Sequence, residues 1–170
     1  MIYGTYRTKT YIAGAWDQDK DAIEQIYTWK KSKYWQLDFV DAHSVTQARD
    51  SSLNCSIKAS LKARMDISKT FVLVVGSETC HVRAGGCQYC PSYDSTRVRC
   101  NRNHSVDYRS FIEYECEKAV EAGIRIVVLY NSTTINKRYC PDCLKEKGIH
   151  LPMKTMMGDW RYDAIKQAIM

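Results

Sequence analysis

The chain has 170 residues, 45% hydrophobic and 26% charged, which fits one globular domain with a sizeable core. No apolar run approaches the ~18 residues of a membrane span, and the start, MIYGTYRTKT, lacks the apolar core of a secretion signal, so a cytoplasmic location is expected. The net charge of +6 suits a phosphate-bearing small ligand or nucleic acid, and the eight cysteines in a reducing compartment point to metal or buried thiols rather than disulfides.

TKTYIAGAW (8–16) reads as a first strand, and the acid-rich DQDKD after it can open a helix through Trp29, with Ala22, Ile23, Ile26 and Tyr27 turned inward. WQLDFVDAH (35–43) reads as a second strand. A polar loop to Asn54 then leads into a helix with Ile57, Leu61 and Met65 on one stripe. TFVLVVGS (70–77) has the continuous Val/Leu/Phe run of a strand buried on both faces. A helix follows from about Ser110 to Gly123, then a fourth strand, IRIVVLYN (124–131). A weaker fifth strand lies near HLPMKTM (150–156), and a short helix runs from about Trp160. Strands alternating with helices predict a single α/β domain over 1–170. Its sheet is parallel, doubly wound and five-stranded, with strand order 2-1-3-4-5. Residues 78–108 exceed what a minimal unit needs. They form an insertion after strand three that carries Cys80, Cys87, Cys90, Cys100, His81 and His104, with Arg83, Arg97, Arg99 and Arg102 against Glu78, Asp94 and Asp107.

The helix at 110–123 holds four glutamates, and steps of ~100° around its axis sort them. Phe111, Ile112, Cys116, Ala119, Val120 and Ala122 share one apolar face, and Glu115 falls inside it. Glu113, Glu117 and Glu121 fall on the opposite side. An acid on an apolar face is either a boundary residue satisfied by an arginine or backbone amide, or a functional carboxylate. In an open α/β sheet, ligands sit outside the carboxyl ends of the strands, here between strands one and three. Gly14, Ala15 and Trp16 then form one wall of the expected crevice and Gly76 and Ser77 its floor. The start of the Glu115 helix forms the other wall, and Asp41 and His43 reach toward the edge. The spacing CQYC at 87–90 recurs as CPDC at 140–143. Four thiolates drawn from Cys87, Cys90, Cys140 and Cys143, or from Cys87, Cys90, Cys100 and one downstream cysteine, would make a closed structural Zn2+ site. Unbridged free thiols are the other reading. There is no P-loop, no G-x-G-x-x-G and no G-x-S-x-G.

These pieces resemble a TIR domain, closest to the bacterial TIR-like proteins of the Thoeris antiphage type. YIAGAWDQDKD resembles the first strand and loop of that group, and SSLNCSIKASLKARM its BB loop and second helix. SKTFVLVVGSET resembles its third strand, and RSFIEYECEKA its third helix. Phe111 and Glu115 resemble the TIR pattern of an aromatic residue followed four positions later by Glu, with Phe where Trp is more usual. The cysteine-rich insertion departs from a typical TIR domain. The resemblance implies a flavodoxin-like TIR fold and an NAD+-cleaving activity (glycohydrolase or ADP-ribosyl cyclase) with Glu115 catalytic. It also implies self-association through TIR contacts and a downstream effector acting through the nucleotide product. A carboxylate beside the ribose anomeric carbon would stabilise the oxocarbenium character that develops as the nicotinamide leaves. A cation for the pyrophosphate is expected from the arginines of the insertion, Arg109 being the nearest to that helix in sequence.

Three other readings compete. A nucleoside deoxyribosyltransferase also uses a Glu at an anomeric carbon, but Ala15 stands where that family tends to place Pro, and SLNCSIKASL fits TIR better. A non-enzymatic TIR scaffold would leave Glu115 as an ion pair without turnover. A nucleic-acid module in the insertion ranks last, since Tyr89 and Tyr93 are its main aromatics.

Overall fold

The computed structural model describes residues 6–42 and 53–170. Four strands form one parallel sheet: β1 (Lys9–Gly14), β2 (Ser68–Val75), β5 (Arg125–Tyr130) and β6 (Ile149–Pro152), in the order β1-β2-β5-β6. β1 runs beside β2 with Tyr11 opposite Phe71 and Gly14 opposite Val74. The helices α1 (Lys20–Lys31), α2 (Asn54–Asp66), α3 (Phe111–Ala122) and α4 (Tyr162–Ile169) cover both faces. On one face Tyr11, Phe71, Leu73 and Val128 pack with Leu61 and Met65 of α2 and with Ile112, Cys116 and Ala119 of α3. On the other, Ile12, Val72, Val127 and Leu129 meet Ile23, Ile26 and Trp29 of α1 and Ile165 and Ile169 of α4. The central strands β2 and β5 are therefore apolar at consecutive positions, as strands covered on two sides must be.

The expected second strand is reduced to a bridge between Thr10 and Asp41, with the Thr10 N–H donating to the Val40 carbonyl at 2.7 Å. The alternation in this segment is real, since Leu37 and Phe39 are buried while Asp38 and Val40 are exposed. Side chains, rather than a ladder, hold it. Phe39 packs beside Tyr27 and under the Lys30 ammonium, and Trp35 meets the Tyr162 ring edge to face. Gln36, at φ +53°, breaks the extended run near its start. The remaining strands keep the relative order expected of them.

α3 opens with a capping box. The Ser110 hydroxyl accepts from the Glu113 N–H, and the Glu113 carboxylate accepts from the Ser110 N–H at 2.7 Å. Gly123, at φ +62°, closes the helix. Within the insertion, the described structure includes short 3₁₀ turns and a two-residue hairpin of β3 (Tyr93–Asp94) and β4 (Arg99–Cys100). No helix among the described residues is long and apolar enough to cross a membrane.

Candidate active site

At the carboxyl end of β1 a cleft of about 570 Å³ opens between the β1–α1 turn, α2, the first residues of the insertion and the start of α3. That volume suits a small-molecule ligand. Gly14, Ala15 and Trp16 line it from one side, Phe111 and Glu115 from another, and Ile57, Leu61 and Val82 supply apolar wall. Five of the residues expected from the sequence thus come together.

Glu115 is 8% exposed. Its Oε1 accepts a hydrogen bond from the hydroxyl of Tyr11, which projects from the middle of β1 and is itself fully buried. Burial, and then the neighbouring Glu115 charge, push the Tyr11 phenol well above its ordinary pKa. The phenol therefore stays protonated and remains a donor to the carboxylate. Two cations share the cleft with this acid. Arg64, from α2, is 6% exposed, and its Nε is buried without a hydrogen-bond partner among the described residues. Arg83, from the insertion, is exposed, and its Nη1 donates to the Cys80 carbonyl at 2.8 Å. One buried acid, a second, exposed acid at Asp17, two guanidinium groups and an aromatic rim at Trp16 suit a polar ligand with anionic oxygens and a flat ring.

Arg64 is not among the residues expected from the sequence, yet its spacing carries a signal. It lies seven residues after Ile57 and three after Leu61, on the stripe that turns α2 inward. Arg83 stood among the insertion arginines without being singled out.

The other expected residues go elsewhere. Gly76 and Ser77 line a neighbouring cleft of about 330 Å³ with Asp19 and Asn131, not the floor below Glu115. The cause is register: Gly14 already pairs with Val74, so the residues after β2 lie beyond the first cleft. Asp41 pairs with Thr10 at the start of β1, far along the strand from Gly14, and engages the Tyr27 hydroxyl. His43 lies outside the described residues. Arg109 is turned to the outer side of α3, where Asp107 accepts two side-chain bonds from it at 2.9 Å and Glu117 a third. Two carboxylates beside it and the Tyr114 ring beneath its guanidinium hold it there.

The two C-x2-C pairs are not brought into one site. Cys87, Cys90 and Cys100 line a small void with Cys55 and His104, whereas Cys140 and Cys143 pack beside the core under α3. Cys116, Cys140 and Cys143 are all free thiols; Cys143 Sγ accepts a hydrogen bond from the buried Cys116 thiol, and burial raises the Cys140 thiol to about 11. β5 delivers the CPDC loop to the α3 side, while the insertion carries CQYC out to the start of α2. Among the described residues, no three Cys, His, Asp or Glu side chains already stand in metal-holding geometry.

A parallel α/β domain with a buried acid and arginines at the carboxyl edge of its first strand has the layout in which open sheets take small ligands. Residues 11–84 match the family described as Thoeris protein ThsB, TIR-like domain, which bears out the Thoeris-type, TIR-like resemblance drawn from the sequence. The matched stretch runs from β1 through the start of the insertion and contributes Gly14, Ala15, Trp16, Arg64 and Arg83 to the cleft. Phe111 and Glu115 lie beyond it. No curated protein matches the chain significantly.

Proposed function

We propose that this protein is an NAD+-cleaving TIR-like enzyme whose product serves as an ADP-ribose-type signal in antiphage defence. The defence context comes with the Thoeris family match, and the reaction with the Phe111–Glu115 pattern of NAD-cleaving TIR domains. The observation that carries the reading is Glu115. It is a nearly buried carboxylate, oriented by a fully buried phenol, on the wall of a nucleotide-sized cleft.

The chemistry follows from that arrangement. As the bond from nicotinamide to ribose breaks, positive charge develops at the anomeric carbon and ring oxygen. A carboxylate fixed beside them in a poorly hydrated cleft stabilises that charge without reorganising. Tyr11 holds Oε1 and sets the plane of the carboxylate. Arg64 and Arg83 take the pyrophosphate in place of Arg109, and Trp16 offers a face for a ring. The ribosyl cation is then captured by water, giving ADP-ribose, or by a group on the same molecule, giving a cyclic isomer. Self-association through TIR contacts, and a separate effector that reads the product, belong to this proposal.

The test is incubation of the purified chain with NAD+ across a range of protein concentrations, resolving products by chromatography and mass. Release of nicotinamide that Glu115→Gln removes is the expected result. NAD+ left intact at every concentration would overturn the enzyme reading in favour of a non-enzymatic scaffold.

A further inference from the structure

We propose that Cys87, Cys90, Cys100 and His104 form a structural zinc site that braces the insertion against α2. These residues, with Cys55, surround a void of about 10 Å³ between the insertion and the start of α2, room for one occupant the size of a water or an ion. The chain reaches the void in two short turns joined by the β3–β4 hairpin. In the first turn the Cys90 N–H donates to the Cys87 carbonyl at 2.9 Å. In the second the Asn103 N–H donates to the Cys100 carbonyl at 3.0 Å. The pairing of Tyr93 with Cys100 brings the second turn back beside the first. The spacing is C-x2-C, then C-x3-H, which suits a closed tetrahedral set of three sulfurs and one nitrogen.

Two contacts favour metal over idle thiols. The Asp107 N–H donates to Cys87 Sγ at 3.2 Å, a backbone donor of the kind that supports and orients a ligating sulfur from outside the ligand set. His104 Nδ1 lies 3.2 Å from Cys55 Sγ. With Nδ1 held there, Nε2 is the ligand, and Cys55 acts as the outer partner that orients the ring. The side chains do not yet converge at metal-holding distances. Coordination would draw the cysteine side chains inward by rotation about χ1, with release of their thiol protons. Cys140 and Cys143 have no part in this set, because they are packed with Cys116 instead.

The need for a brace is physical. The insertion's hairpin is two residues per strand, and its flanks are largely exposed. Hairpins of that size do not hold themselves in water. Yet this segment positions residues of the cleft: the Ala84 carbonyl accepts the Phe111 N–H at 2.8 Å, and the Gly86 carbonyl accepts from Asn54 Nδ2 at 3.0 Å. An ion one residue further on would fix that wall. The inference rests on the cysteine cluster alone and does not depend on the NAD+ reading.

The test uses the full chain, reduced, stripped with chelator and titrated with zinc alone. About one zinc per chain is expected to bind, as for a single tetrahedral site. It should shield Cys87, Cys90 and Cys100 from alkylation and slow amide exchange over 82–90, leaving Cys140 and Cys143 as reactive as before. Cys100→Ser and His104→Ala should lose the ion, and Cys140→Ser and Cys143→Ser should keep it. If the first two variants do not fold, the alkylation pattern of the unmodified chain decides. No zinc uptake, or uptake that shields Cys140 and Cys143 instead, overturns the proposal.

Discussion

Glu115 and Tyr11 act as a pair: a carboxylate that would be costly to bury alone is held by a hydroxyl that burial keeps protonated. Glu115→Gln keeps the shape and loses the charge. Turnover of NAD+ is expected to fall roughly a hundred- to a thousandfold, about 3–4 kcal/mol, as for other electrostatic contacts of this kind. Folding should be retained. Glu113→Gln keeps an acceptor for the Ser110 N–H, and Glu117→Gln alters only the outer side of α3, so both should leave turnover nearly unchanged. Steady-state kinetics of the three variants separate the pair from its neighbours. Tyr11→Phe should lower both turnover and stability, because it removes a hydrogen bond accepted by a nearly buried carboxylate, a loss of about 1–3 kcal/mol. A Tyr11→Phe protein with unaltered kinetics would remove the positioning role. At Asp107, burial raises the carboxyl, but its bonds to Arg109 and the nearby Lys58 outweigh that and bring it down to about 2, from 3.8. A depressed acid stabilises the fold above its unfolded value and ceases to do so as pH falls through the folded one. Thermal melts of Asp107→Asn should therefore lie below those of the parent at neutral pH. The gap should close between about pH 4 and about pH 2; a gap constant with pH would contradict the ion-pair account.

At the scale of elements, the insertion and α3 are locked where Gly85 meets Phe111. Gly85 sits at φ +108°, and a Cβ there would come within 2.6 Å of the Phe111 ring and backbone nitrogen. Gly85→Ala is thus both strained and crowded, with an expected loss of about 1–3 kcal/mol in denaturant melts. KM should rise as well, because Phe111 begins the helix that carries Glu115. The elements whose apolar period is set by burial were legible in the sequence: β1, β2, β5 and the inward face of α3, including Glu115 within it. What escaped was set by contacts between distant segments. Arg109 is adjacent to the helix in sequence, but Asp107 and Glu117 hold it on the outer side. Gly76 and Ser77 miss the cleft by strand register, and Asp41 by pairing with Thr10. CQYC and CPDC share a spacing but not a place. Spacing describes how one segment can curl around an ion, and says nothing of which other segment arrives there.

For the molecule as a whole, binding and turnover can be separated. A ligand that binds only the folded state raises stability by mass action, about 2.7 kcal/mol when its concentration is a hundred times Kd. For a domain of this size that corresponds to a rise in Tm of roughly 5–10 °C. The Glu115→Gln protein is the right host, since it should bind NAD+ without consuming it. Arg64 sits on α2, which packs into the core, and Trp16 in the turn that directly follows β1, so NAD+ bound there should stabilise the whole domain cooperatively. NAD+ is therefore expected to shift the melt of Glu115→Gln, and deoxynucleosides, which carry no pyrophosphate for Arg64 and Arg83, are not. Arg64→Ala in the same background should abolish the shift, since its guanidinium is the buried cation of the cleft. A shift with deoxynucleosides and none with NAD+ would instead favour transfer of a deoxyribosyl group. No shift with either, in a protein that still associates with itself, would leave the scaffold as the working description.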